Sequence, residues 1–217
     1  ALAAAAGAPA PAGRGEGADL TVSDTLTIAV TALGALAGRP PVLRSGAEPG
    51  DVVAVAGELG RAARGLGILF ERFTDAAGHP IPVDESLLDQ AELADLVAQL
   101  RPSPPVWLGP EAADAGATAM MDVSDGLVLD ASRMAAASDV TIALESAALG
   151  PDVASALAGG EDHALLATFP ANRPLPHGFV RVGAVRARGD EPVLVDGRPH
   201  DGRDGWDPYR DWDAGTG

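Results

Sequence analysis

The sequence predicts an α+β fold, a layered mixed sheet with helices packed on it. Short apolar, β-branched runs recur along the chain, each bounded by turn formers. Between them lie stretches whose apolar residues return at helical spacing. The two kinds intermix without a regular strand–helix–strand beat or a fixed repeat, which selects a layered α+β or mixed domain.

The elements follow in order. ALAAAAGAPAPAGRGEGADL opens on Ala rather than Met and is biased to Ala, Pro and Gly, so it reads as a flexible lead. LTIAVTALG (Leu26–Gly34) is β-branched and reads as a strand. GRPPVLRSGAEPGD is dense in turn formers and marks a loop or junction, dividing the chain into residues 1–38 and 39–217. VVAVAGE (Val52–Glu58) reads as a buried strand. GRAARGLGILFERF (Gly60–Phe73) reads as a helix with Ala63, Leu66, Leu69 and Phe73 near one face, although two internal glycines weaken it. Asp84–Leu100 is acidic, Leu-rich and helical in spacing, stopped by Arg101 and PSPP. PEAADAG (Pro110–Gly116) is a short helix with Pro in its first turn. ATAMM (Ala117–Met121) is a buried strand. Gly126–Ser138 is a helix with Leu127, Leu129, Met134 and Ala137 on or beside its apolar stripe. VTIALE (Val140–Glu145) is a strand, Asp152–Leu157 a short helix and HALLATF (His163–Phe169) a strand. FVRVGAVRA and PVLVDGRP close the fold as two strands joined through RGDE.

Composition narrows the chemistry. The 217 residues are 47% hydrophobic, enough for one good core or two small ones. No run approaches the ~20 apolar residues a bilayer requires, and no basic and apolar leader opens the chain. The absence of cysteine removes disulfides, thiolate nucleophiles and Cys-based zinc sites, and fits a cytoplasmic protein. The formal charge is −16, and every base is arginine. Without lysine there is no P-loop, no kinase-type strand lysine and no pyridoxal Schiff base. An acidic chain is also a poor partner for nucleic acid. Any phosphate it handles needs metal ions, held by its carboxylates, to neutralise charge.

Four stations carry candidate chemistry. In MMDVSDG, Asp122 and Asp125 stand three apart at the mouth of a helix. Ser124 or Asp125 could simply cap that helix, with Asp122 a solvated turn residue. Alternatively, both acids face shared Mg²⁺ ions while Ser124 and the helix N-terminus meet a phosphate oxygen. GGEDH (Gly159–His163) presents Glu161 and Asp162 from a turn whose glycines permit positive φ, as an ordinary helix cap also would. Asp19 in GADL is a loop acid, and Arg44 in VLRSGAEPGD is a lone arginine that sits on the surface or clamps a phosphate. The four histidines show no metal-ligand spacing, and no G-x-S-x-G elbow supports a serine hydrolase.

Taken together, VTALG, RSGAEPGD, TAMMDVSDGL, GGEDHALLATFP and GWDPY occur in an order that resembles the thiamine-monophosphate kinase family. That family belongs to the superfamily of aminoimidazole ribonucleotide synthetase and selenophosphate synthetase. The resemblance spans Gly17 to Tyr209, and DVSDGL followed by GGED is its diagnostic pair. It implies the C-terminal domain of that fold over residues 39–217, with residues 1–38 the remnant of an N-terminal ATP-binding domain. It also implies ATP-dependent phosphorylation of thiamine monophosphate to thiamine diphosphate with Mg²⁺, and a homodimer formed through the domain that is mostly missing. By the same resemblance Asp19, Asp122 and Asp125 are Mg²⁺ ligands, and Arg44 and Ser124 bind ATP. Glu161 faces the cationic thiazolium, and Tyr209, or else Trp206, covers the substrate ring. GAD replaces the family's GGD, Pro208 stands where His is common, and most of the N-terminal acidic motif is absent. Two other readings stay open: a non-catalytic remnant that binds nucleotide or substrate weakly, and another ATPase of the same superfamily.

Overall fold

The computed structural model describes residue 31 and residues 33–207, in a chain that divides into Ala1–Pro41 and Val42–Gly217. In the first unit the described residues form a turn closed by the Arg39 N–H on the Leu36 carbonyl, at 3.0 Å. The strand expected over Leu26–Gly34 lies mostly outside the described residues, and its described members Thr31, Leu33 and Gly34 are irregular.

The second unit is built on a mixed sheet. Its strands are β1 (Val52–Ala56), β2 (Ala119–Val123), β3 (Val140–Leu144), β4 (Ala164–Phe169), β5 (Val180–Ala187), β6 (Val193–Val195) and β7 (Arg198–Pro199), in spatial order β2-β4-β1-β5-β3-β6-β7. All pairings are antiparallel except β3 with β6. β1 reads as an unbroken apolar run, and β3 as one interrupted only by the buried Thr141, because both faces of the sheet's centre are covered. One face carries Val53, Val55, Val123, Ile142 and Leu166 onto helix α4 (Leu127–Ser138), whose Leu127, Val128, Ala131 and Met134 fill the main core. The other carries Ala54, Ala56, Ala167 and Phe169 onto helix α3 (Leu108–Ala115), with Phe179 edge-on to Phe169 at 5.3 Å. Alternation along β1 thus sends Val53 and Val55 one way and Ala54 and Ala56 the other.

Helices α1 (Arg61–Arg72) and α2 (Gln90–Leu100) form a hairpin beside the sheet, and α5 (Val153–Ala158) packs against α4. The sequence predicts one helix over Asp84–Leu100. The structure instead has a single 3₁₀ turn, Glu85–Leu87, capped by Asp84, and then α2, started afresh by a capping box between Asp89 and Glu92. The predicted stripe on α1 also differs. Its buried positions are Ala62 and Gly65, with Phe73 just beyond its end, while Leu66 is 37% and Phe70 66% exposed. Gly65 is where the two helices touch: a Cβ there would lie 2.2 Å from the Asp95 carbonyl of α2. Close approach on that side turns the large apolar side chains of α1 toward the site.

β2 begins two residues later than predicted, because the Ala117 N–H closes α3 on the Ala112 carbonyl at 2.9 Å. Asp122 is therefore inside β2, opposite Leu165 of β4, rather than beyond the strand end. The closing run PVLVDGRP is two strands rather than one, folded back at Asp196–Gly197, a D-G hairpin signal.

Candidate substrate cavity and its carboxylates

Three stretches of backbone meet where β2 runs into α4. The Ser124 carbonyl accepts the Glu161 N–H at 2.9 Å, and the Asp125 carbonyl accepts the Trp206 N–H at 2.8 Å. The Asp204 carbonyl accepts the Leu129 N–H at 3.1 Å. This crossing needs the glycines of GGED: a Cβ on Gly160 would stand 2.2 Å from the Ser124 carbonyl oxygen. DVSDG, GGED and GW, far apart in sequence, are thereby laced into one wall.

That wall closes a cavity of about 670 Å³. Ser124, Asp125, Gly160, Glu161 and Trp206 face it on one side; Leu66 and Phe70 of α1 face it on the other. Trp206 is 46% exposed, and the Arg203 guanidinium lies 5.8 Å from its ring centroid. The size suits a small organic ligand, apolar on one side and faced by carboxylates on the other.

The carboxylates differ in commitment. Asp130, in the first turn of α4, is buried; one oxygen takes the Ser124 and Asp125 N–H groups at 3.0 Å each, the other takes Arg133 Nη1 at 2.7 Å. Burial pushes the Asp130 carboxyl above its ordinary value, opposed by the Asp125 N–H and by Arg133. The same Nη1 of Arg133 also donates to Asp125 Oδ2. Asp122 is exposed, with Oδ2 3.4 Å from His163 Nδ1, and His163 Nε2 is 3.9 Å from Glu161. Asp162 has turned away from the cavity. Its Oδ1 takes the Ala62 N–H at 2.8 Å and so caps α1, whose own N-cap residue, Gly60, has no side chain to offer. Burial pushes the Asp162 carboxyl up, against the pull of the N–H groups of Ala62, Arg61 and Gly60.

The structure therefore brings Ser124, Asp125, Glu161 and Trp206 together and sets Asp122 nearby through His163. It does not bring Arg44 to this cavity. Arg44 lies exposed in a turn whose carbonyl accepts Ser138 Oγ, at the far end of α4, ~15 Å or more along its axis from Asp125. Asp19 and Tyr209 lie outside the described residues. Asp130, Arg133, His163 and Arg203 were not singled out from sequence. The signal for the first two was the i, i+3 acid–base spacing directly after DVSDGL. Among the described residues no three acids or histidines converge closely enough to enclose a metal ion. Two carboxylates are still a fitting donor set for Mg²⁺, which uses one or two and takes its remaining ligands from phosphate and water.

No family model matches the chain. Among curated proteins it is 41% identical over 206 residues to the thiamine-monophosphate kinase of Mycobacterium tuberculosis (strain ATCC 25618 / H37Rv), covering 88% of this chain and 56% of that one. With the thiamine-monophosphate kinase of Corynebacterium glutamicum the identity is 37% over 204 residues, covering 87% and 58%. The chain spans about half the length of the curated relatives it matches. The crystal structure of thiamine monophosphate kinase from Aquifex aeolicus superimposes with a TM-score of 0.61 at 33% identity, over 73% of this chain and 54% of that one. A structure described as AaThiL complexed with AMPPCP and TMP gives 0.60 at 33%, over 76% and 53%. With the diagnostic DVSDG and GGED segments laced together in one wall, the chain belongs to the thiamine-monophosphate kinase family.

Proposed function

We propose that the cavity walled by Glu161, Asp125, Trp206, Leu66 and Phe70 is the thiamine monophosphate site of an ATP-dependent kinase that makes thiamine diphosphate. The observation that carries this is the pairing, in one 670 Å³ cavity, of an apolar and aromatic side with carboxylates that suit a cationic heteroaromatic ring. The relative described as complexed with AMPPCP and TMP supports both substrates. In the reaction a phosphate oxygen of the monophosphate bonds to the γ-phosphorus of ATP while the bond to the ADP oxygen breaks. The acceptor oxygen is already ionised, so no base is required, and catalysis rests on positioning and on charge neutralisation.

In this reading Glu161 faces the thiazolium cation, and Trp206 covers the ring beside Arg203. The Ser124 hydroxyl, on a peptide whose N–H is taken by Asp130 and whose carbonyl is taken by the Glu161 N–H, meets a phosphate oxygen of ATP. Asp122 and Asp125 would hold Mg²⁺, which when bound offsets the repulsion between the two phosphate groups. Asp19 and Arg44 keep the roles the resemblance implies, as metal ligand and ATP contact, and Tyr209 is the alternative to Trp206 as ring cover. A second reading, a chain that binds substrate without turning it over, is favoured by Arg44 standing at the other end of α4 from the cavity.

Calorimetric titration with thiamine monophosphate, without divalent ions, tests the site. Binding is expected, and Glu161→Gln should weaken it about tenfold by removing one partner of a charged contact. No binding, or equal binding by the variant, would sink the assignment. Formation of thiamine diphosphate from ATP, with Asp122→Asn as control, then separates the kinase from the non-catalytic binder.

A further inference from the structure

Asp125 already has a cation. Arg133 Nη1 rests on Asp125 Oδ2 and on Asp130 Oδ1, and the Arg133 and Asp125 side chains are only 29% and 24% exposed. Asp122 is 56% exposed, and the contact described for it is the 3.4 Å approach of His163 Nδ1. Of the two carboxylates read above as facing metal, one is therefore engaged and one is open. A guanidinium cannot shed its proton near neutral pH, so Arg133 stays charged whatever arrives. A divalent ion approaching the same Asp125 oxygen meets a fixed positive charge at contact distance, little screened because the pair is mostly covered. Asp130 keeps hold of the guanidinium, so Arg133 cannot simply swing into water. The bonds from the Ser124 and Asp125 N–H groups to Asp130 pin the loop below it.

We propose that Arg133 is a positioning residue that fixes the Asp125 carboxylate on the cavity wall and competes with divalent metal for it, so that Asp122 takes the first ion. This rests on the reading of Asp122 and Asp125 as the metal-facing acids. Its test uses metal without substrate, so its failure is distinguishable from failure of the thiamine monophosphate site. A role of Arg133 in stability alone would predict unchanged or weaker metal binding once it is removed; competition predicts the opposite.

The experiment is titration of the full chain with Mn²⁺, following loss of the free-ion electron paramagnetic resonance signal. Asp122→Asn should weaken binding about tenfold or more, and Asp125→Asn less than about twofold, because in the wild type Asp125 is not free to contribute. Arg133→Gln should tighten binding about tenfold or add a second ion, and Arg133→Lys should stay near the wild type because the charge persists. If Arg133→Gln fails to fold by circular dichroism, Arg133→Met keeps much of the apolar stem and carries the same expectation. An Arg133→Gln chain that binds no tighter than wild type overturns the proposal. So does an Asp125→Asn chain that loses as much affinity as Asp122→Asn, or the absence of Mn²⁺ binding in both wild type and Arg133→Gln.

Discussion

Asp130 is the side chain on which the site's geometry depends most. It is 1% exposed, and a carboxylate that deep persists only with partners: here two backbone N–H groups and a guanidinium. Removing it leaves two backbone N–H donors without an acceptor and leaves the Arg133 guanidinium with Asp125 alone. Asp130→Ala should therefore cost about 3–5 kcal/mol, the range for breaking one side of a buried charged pair. Asp130→Asn should cost less, since an amide oxygen can still accept from Ser124 and Asp125. Urea unfolding of both variants measures this. A loss below about 1 kcal/mol for the alanine variant would show that the loop holds its shape without Asp130.

At the scale of elements, the α1–α2 hairpin shows which parts of the fold were legible in sequence. Helix α1 lies where periodicity places it and α2 ends at the predicted PSPP stop, because apolar spacing and that stop are local signals. But α2 starts only at Gln90, behind the Glu85–Leu87 turn. The face of α1 was not legible. Which side is buried depends on Gly65 meeting the Asp95 carbonyl of another helix, and no local pattern encodes that approach. The same holds in the site. DVSDG and GGED announce themselves as motifs, but the turning of Asp162 away to cap α1 and of Arg133 onto Asp125 are tertiary facts. The hairpin's own clamp is equally non-local: Asp95 takes Arg64 Nε at 2.8 Å and Nη2 at 3.0 Å, and Arg61 Nε at 3.1 Å. Hydrogen bonding from Arg64 holds the Asp95 carboxyl below its ordinary value, against the opposing effect of burial. A depressed folded value means the stabilisation is present above the unfolded Asp value and is lost as pH falls through the folded one. Asp95→Asn should thus cost about 1–2 kcal/mol at neutral pH, with the gap to wild type closing below about pH 4. Thermal unfolding across pH 2.5–7 reads this, and a gap constant over that range would remove the ion pair as its cause.

Over the whole of the second unit, burial is uneven. β3 is buried at every position and β1 at all but its first, and β1 and β5 each have a neighbouring strand on both sides. By contrast α2 has one fully buried residue, Leu96, and α1 presents Leu66 and Phe70 to the cavity rather than to a core. The hairpin is moored by polar contacts: Asp162 on the first turn of α1, and Arg64 near Asp152 at 3.7 Å. Opening free energies follow buried apolar contact, so the hairpin should open locally while the sheet stays closed. Hydrogen exchange with peptide resolution should find amides of α2 exchanging faster than those of β1 and β5 by about a hundredfold or more, roughly 3 kcal/mol of local opening. Asp162→Asn weakens the mooring without touching the sheet, and should speed exchange in α1 while leaving β3 unchanged. If thiamine monophosphate occupies the cavity as proposed, against Leu66 and Phe70, it should slow exchange in α1 in proportion to its occupancy. Equal protection of α2 and β1 in the free chain would mean that the hairpin and sheet unfold as one, and that the cavity is a rigid feature of the fold rather than a site with one movable wall.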